Sequence, residues 1–367
     1  MGRPQRQTIA RAGPEAGSAT VVRWEGPVDL PGSLEVFRRS GDDLLDRWDG
    51  RVWLRALPLD GRMVAMAARP AGTVAQPALL VEAEAGARPK LVPAARALAG
   101  AFVSAPEALR GLAAADPVVA GIASRFPGVG PVLQPDLLTA VIRSISAQQI
   151  TLRFAAVLRG RLARRFGRRH EVPIPAPPGQ EPGPDGPAPP PGQEPGPDGP
   201  APPGPAVGEV WSLDAGRLAG ATVAELRALQ LSNSKAVAMI GFAGAVARGR
   251  VDLVELAGLP DEEVIARLVV FPGIGRWTAE WLLARTMGRP RVVAGDLGVR
   301  KAVGAAYLGG RMPSEAEVRA ATAHWGPAAG VAQQLLLHWL SVEAPRVAGS
   351  PTGSTSATRP ARSSRRG

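Results

Sequence analysis

The sequence predicts an α+β protein, with a small antiparallel sheet at its N-terminal end and a larger all-α region after it. Three observations carry this. Between residues 20 and 88, short apolar runs alternate with polar residues, and Asp60-Gly61 joins two of them as a two-residue hairpin turn does. From Lys90 onward the apolar spacing becomes helical, broken by Pro and Gly. At 367 residues, 45% of them apolar, the chain is long enough for two or three domains and can bury a core.

Residues 1–19 are polar and read as a disordered leader. Residues 20–24 read as a strand, 33–40 as a short helix, 52–70 as the hairpin, and 78–86 as a further strand, so 20–88 forms one small sheet domain. The segment 89–345 reads as helical. Its helices are placed at 90–103, 106–113, 117–125, 136–146, 150–167, 223–229, 233–248, 261–269, 276–287, 297–307, 314–323 and 328–342. One stretch interrupts it. Residues 177–189 recur as 190–202, almost all Pro, Gly and acid, which cannot bury a core. The insert 173–207 is therefore expected to be disordered, anchored at the surface near Val172 and Val207. Residues 346–367 are expected to be a disordered basic tail.

The chain has no Cys, which excludes disulfides, thiolate nucleophiles and cysteine-held zinc or iron–sulfur clusters. No apolar run reaches the roughly 18 residues of a membrane span. The expectation is a cytoplasmic, nucleoid-associated monomer with no organic cofactor. The formal net charge is +11. The tail contributes +5, the leader +2 and the insert −4, which leaves +8 on the remainder. A folded surface of that sign favours a polyanion, most simply nucleic acid; a plain compositional preference for Arg is the alternative. The acid-free run Arg143, Arg153, Arg159, Arg161, Arg164, Arg165, Arg168 and Arg169 is expected to face solvent and attract DNA at long range.

The segment that carries chemistry is 262–303. A helical run ends at Pro272, and Gly273-Ile274-Gly275 follows. The glycines permit unusual torsions and a close approach of backbone N–H groups, and a helix from Arg276 points its positive end the same way. This is an anion site built from backbone, or else an ordinary helix–turn–helix corner. Asp296 then precedes another helix, where a cap is the bland role of an aspartate. The histidines His170, His324 and His338 show no metal-ligand spacing.

The stretch LVVFPGIGRWTAEWLLA, the loop MGRPRVVAGD and Asp296 about twenty residues after the hairpin resemble the helix-hairpin-helix DNA glycosylase superfamily. Residues 137–167, with the Gln148-Gln149 turn, resemble its early helices, and 20–88 is loosely similar to the N-terminal domain of 3-methyladenine DNA glycosylase II, the AlkA type. The resemblance covers about residues 20–345 apart from the insert. It implies a helical domain in two lobes and a DNA glycosylase of base excision repair that flips alkylated purines out of duplex DNA.

The resemblance also assigns roles. Asp296 is the catalytic carboxylate, stabilising an oxocarbenium-like sugar cation and orienting water. Gly273, Ile274, Gly275, Arg276 and Thr278 bind the DNA backbone. Trp277 and Trp281 form the base pocket, where an electron-poor alkylated base stacks on indole. Trp277 stands where relatives with lyase activity carry a Schiff-base Lys, which implies a monofunctional enzyme. Gln149, or Gln148, fills the gap left by the flipped base. A monovalent cation can sit at the carbonyls of Val270, Phe271 and Ile274. The sequence departs from the pattern at Gly295, where many relatives have a second acid, and at Ala328 and Ala329, where an Arg is common. Two alternatives stay open: a non-catalytic damaged-DNA-binding protein on a degenerate fold, and a glycosylase for deaminated or oxidised bases.

Overall fold

The computed structural model of the chain describes residues 7–11, 19–177 and 206–343. Its first part is a six-stranded antiparallel sheet, in the order β1-β2-β6-β5-β4-β3. The strands are β1 (Gln7–Arg11), β2 (Thr20–Trp24), β3 (Asp46–Trp48), β4 (Trp53–Leu59), β5 (Arg62–Gly72) and β6 (Pro77–Ala83), with helix α1 (Leu30–Ser40) between β2 and β3. Strands β4 and β5 pair from Trp53↔Ala68 to Leu59↔Arg62. The turn between them is Asp60-Gly61, with φ of 49° and 75°, the twist-matched geometry this dipeptide favours.

Two expectations are corrected. Residues 7–11 are not leader but an edge strand, paired with β2 from Gln7↔Trp24 to Arg11↔Thr20. Five residues flanked by polar sequence give no local signal, and the neighbouring strand supplies the order. The region after Lys90 is also not all helical. β7 (Gly167–Pro173) and β8 (Val207–Leu213) form an antiparallel hairpin. Val172 and Val210 of this hairpin pack with Val52, Leu54, Ala65 and Ala67 on one face of the sheet, while Val64, Met66 and Ala68 face the helices on the other. Strand β5 is thus covered on both faces, which is why its sequence lacks a polar alternation. Val172, expected at the surface, is buried, and Val207 is exposed. Nearly all of the Pro/Gly-rich repeat, and the basic tail from residue 346, lie outside the described residues.

The helices after the sheet are α2 (Leu91–Ala99), α3 (Pro106–Ala115), α4 (Pro117–Arg125), α5 (Leu137–Ala147), α6 (Leu152–Phe166), α7 (Ala215–Ala219), α8 (Val223–Ala228), α9 (Asn233–Ala247), α10 (Leu253–Ala257), α11 (Asp261–Val269), α12 (Arg276–Arg285), α13 (Leu297–Tyr307), α14 (Glu315–Ala321) and α15 (Ala329–Val342). Side-chain caps set many of the starts, such as Asp136 on α5, Thr151 on α6 and Ser232 on α9. The helices bury into two apolar clusters. One holds Ile142, Leu162, Phe242 and Leu282; the other holds Val119, Val303, Trp325 and Leu335. Helix α12 roots in the first and α13 in the second, so the segment joining them crosses from one cluster to the other.

A further correction concerns the arginines. Arg143 and Arg159 do not face solvent. Arg143 pairs with Asp43 at 2.9 Å and Asp46 at 3.0 Å, Arg159 with Asp43 at 2.8 Å, and Arg55 with Asp46 at 2.5 Å. This buried network ties the sheet to α5 and α6. The two acids lie about a hundred residues upstream, beyond any local window. His170 is also buried, between Glu84 Oε2 at 2.8 Å and Ser212 Oγ at 2.9 Å. No helix among the described residues is long and apolar enough to cross a membrane.

Candidate functional site

The turn between α11 and α12 is anchored from beneath. Ile274 is buried in the first apolar cluster, so only its backbone reaches outward. Gly273 has φ of 80°, and a Cβ there would stand 2.9 Å from that of Ala238. Glycine is required at 273 on both counts. Gly275 differs: its φ of −87° suits any residue, and a Cβ would meet nothing within 4 Å. Gly275 is the N-cap of α12, and no side chain caps that helix. The first-turn N–H groups of α12 therefore remain available at the surface, beside open space.

The other residues expected to bind the backbone divide. The Thr278 hydroxyl is buried and bonded to Ser144 Oγ at 3.2 Å, so its side chain is withdrawn from DNA and only its N–H remains. Arg276 is exposed but engaged, 3.0 Å from Glu262 and 3.3 Å from Glu280. Glu280 is buried and gathers Arg276, Arg291 at 3.2 Å and Arg319 at 3.3 Å around one carboxylate. That cluster links α12 to the following loop and to α14. The Phe271 carbonyl accepts the Ile274 N–H at 3.1 Å within the same turn. Among the described residues, no group of His, Asp and Glu is placed to hold a metal ion.

The Gln148-Gln149 turn joins α5 to α6 and lies against the hairpin. Gln148 Nε2 donates to the Gly273 carbonyl at 3.0 Å, which ties the two turns together and removes Gln148 as a free wedge. Lys235 Nζ donates to the carbonyls of Ser146 at 3.0 Å and Gln148 at 2.7 Å from α9. Burial holds its ammonium below the ordinary lysine range. Gln149 is exposed at φ 61°, a conformation that non-glycine residues rarely adopt. Two apolar side chains beyond it, Leu152 and Phe154, are also exposed, a feature that their helical spacing did not announce.

The loop 286–296 is held from several sides. Val293 N–H donates to Gln333 Oε1 at 2.7 Å, and Arg291 pairs with Asp261 at 3.0 Å. It ends at Asp296, the half-buried N-cap of α13. Oδ1 accepts the Val299 N–H at 2.9 Å, so the cap fixes the carboxylate and leaves Oδ2 unengaged among the described residues. Gly295 brings this loop against α12: a Cβ on it would stand 3.0 Å from Trp277 Cδ1 and 3.0 Å from Glu315 Oε1. Trp277 and the Asp296 loop therefore meet. Among the described residues, the buried Trp277 Nε1 donor has no acceptor. Trp281, one turn on, is half-buried at the edge of the first cluster.

Sequence reasoning missed Arg285, two turns beyond Trp277 on α12. It is half-buried, and burial draws its guanidinium below the usual arginine range while the Asp296 carboxylate opposes the shift. Its signal was the spacing of four from Trp281. Arg300, just after Asp296, donates to the Pro313 carbonyl at 2.8 Å; Lys301 is exposed. Two recesses of about 540 and 560 Å³ lie elsewhere, one between Val251 and Phe271 and one between the sheet and β7–β8.

No family model matches the chain. Bacillus subtilis YfjP, named provisionally as a DNA-3-methyladenine glycosylase, is 31% identical over 120 residues, 32% of this chain. The match spans only 41% of that relative's length. The solved 3-methyladenine DNA-glycosylase of Archaeoglobus fulgidus superposes with a TM-score of 0.65 at 25% identity, covering 87% of this chain and 98% of its own. The 8-oxoguanine glycosylase/lyase of Clostridium acetobutylicum shares the fold at a TM-score of 0.61, with 14% identity over 92% of this chain and 98% of that one. With the glycine hairpin, the loop and the capped Asp296 in one segment, the chain is similar in sequence and fold to helix-hairpin-helix DNA glycosylases.

Proposed function

We propose that the chain is a monofunctional DNA glycosylase of base excision repair that excises alkylated purines from duplex DNA. The observation that carries this is the meeting of Trp277 with the Asp296 loop, whose carboxylate is fixed by its own helix. Damaged duplex DNA binds by its backbone at the amides of Gly275 and the first turn of α12. Gln149 enters the stack as the base leaves it. The base stacks on Trp277 and Trp281, which favour an electron-poor, alkylated ring. Asp296 Oδ2 then faces C1′. Its negative charge stabilises the sugar cation as the C1′–N bond breaks and orients the water that adds to C1′. Trp277 offers no amine for a Schiff base, so the product is an intact strand with an abasic site. The two helical clusters are the natural lobes between which the flipped base enters.

The test is Asp296→Asn, which keeps the cap through its amide oxygen and removes the charge. Release of methylated purine from alkylated DNA falls by about 100-fold or more, while DNA affinity, measured by fluorescence anisotropy, is retained. Undiminished release would sink the mechanism. Tight binding by the native protein with no release of any base would establish the non-catalytic reading instead.

A further inference from the structure

Gly295 keeps open a space that a second carboxylate approaches. A Cβ on residue 295 would stand 3.0 Å from Glu315 Oε1 and 3.0 Å from Trp277 Cδ1. The Glu315 carboxylate therefore lies near the edge of the indole and beside the residue that precedes Asp296. Little else holds it there. Among the described residues Glu315 accepts no hydrogen bond, and its ion pair with Arg319 is open at 3.8 Å. The same guanidinium is drawn to Glu280 at 3.3 Å. Glu317, two residues on, is different: it completes the cap of α14 with Ser314 and pairs with Arg311 at 2.5 Å. Glu315 has no such task, and its side chain is 59% exposed. The φ of Gly295 is not one that excludes other residues. Glycine at 295 thus serves the close approach of α14 to the Asp296 loop and α12 rather than a torsion.

We propose that Glu315 is a second catalytic carboxylate, which takes the proton of the water that adds to C1′. The argument rests on the glycosylase reading above and adds a residue to it. Two carboxylates in one site divide the work as their surroundings dictate. Asp296 gives one oxygen to the Val299 N–H and is fixed at the start of α13. A carboxylate fixed in this way serves as a stationary charge toward C1′. Glu315 is longer, exposed and lightly held, so it can follow a water molecule and accept its proton. The step balances. The breaking C1′–N bond leaves its electron pair with the base, and a base that is cationic while attached departs neutral. The water oxygen bonds to C1′, one of its protons passes to the Glu315 carboxylate, and the abasic sugar keeps the hydroxyl. Glu315 then returns the proton to solvent, which an exposed side chain reaches directly.

The experiment uses the full chain and a duplex methylated to carry 3-methyladenine. Base release is followed in a single turnover and DNA affinity by fluorescence anisotropy. The native protein releases the base. Glu315→Gln and Glu315→Ala each lower the rate by about 100-fold, the lower end of what a general base contributes, with affinity and thermal unfolding unchanged. Added formate, a carboxylate small enough to enter the space left in Glu315→Ala, raises that variant's rate by about tenfold. It does nothing for Glu315→Gln, whose amide fills the space. Undiminished release by Glu315→Gln overturns the proposal and leaves the glycosylase reading intact, with Asp296 as the one carboxylate of the reaction. A loss in Glu315→Ala that formate does not recover assigns Glu315 to the packing of α14 and overturns the proposal as well. No release by the native protein removes the glycosylase reading and this one together.

Discussion

Gln149 shows how much one backbone angle says. Its φ of 61° costs a non-glycine residue about 1–2 kcal/mol. The turn around it is held by Lys235 and by the Gln148 contact with Gly273, so the strain is imposed rather than incidental. Such outliers gather where a side chain must be presented in one direction. Gln149→Gly relieves the strain but adds about 0.5–1 kcal/mol of chain entropy, so thermal unfolding should move little. Base release from duplex DNA should fall roughly tenfold, about 1.4 kcal/mol, with release from single-stranded DNA spared, since no stack then needs filling. Equal losses on both substrates would refute the wedge role. Gln148, the second candidate from the sequence, is instead the tie between the two turns.

At the scale of the element, the two hairpin glycines separate. Gly273 is glycine for the fold, with positive φ and a contact on Ala238 that a methyl group would violate. Gly275 is not required as glycine by the fold, since its torsion is ordinary and the space beyond is open. Gly273→Ala should therefore destabilise the chain by about 1–3 kcal/mol, seen as a lower urea midpoint. Gly275→Asp should leave the midpoint unchanged and weaken binding to all duplexes alike by roughly tenfold, lowering the salt slope by about one. The reverse pattern would show that 275 is structural. The same division runs along α12: Thr278 turns inward, while Trp277, Trp281 and Arg285 keep the half-open edge.

For the whole molecule, the buried network of Arg55, Asp46, Arg143, Asp43 and Arg159 joins the sheet to the helices on either side of the Gln148-Gln149 turn. Burial alone would raise the Asp43 carboxyl, but Arg143 and Arg159 more than offset it and hold it below the usual range. A carboxyl whose folded-state pKa is depressed contributes stability that is present above its unfolded value, about 3.9, and lost as pH falls through the folded one. The urea midpoint should hence stay level from neutral pH to about 5 and fall below about 4. Asp43→Asn should lower stability at pH 7 by about 3–5 kcal/mol, because Arg159 loses its counter-charge and Arg143 keeps only Asp46, and should flatten the acid limb. An unaltered acid limb would show that other carboxyls control it.

What the sequence by itself determined is local in origin. The Asp60-Gly61 turn, strand β2, helix α13 with Asp296 as its cap, and the glycine hairpin all rest on torsions and caps fixed within a few residues. Tertiary structure decided what depends on distant partners. β1 exists because β2 lies beside it, β7 and β8 because the sheet offers an apolar face, and Arg143 and Arg159 are buried because Asp43 and Asp46 arrive from the other end of the chain. Arg285 belongs to the same class. One arginine at a helix end reads as a solvated charge until the fold half-buries it and leaves it without an acceptor among the described residues, because charge pairing and desolvation are settled by what packs against a residue rather than by what precedes it in sequence.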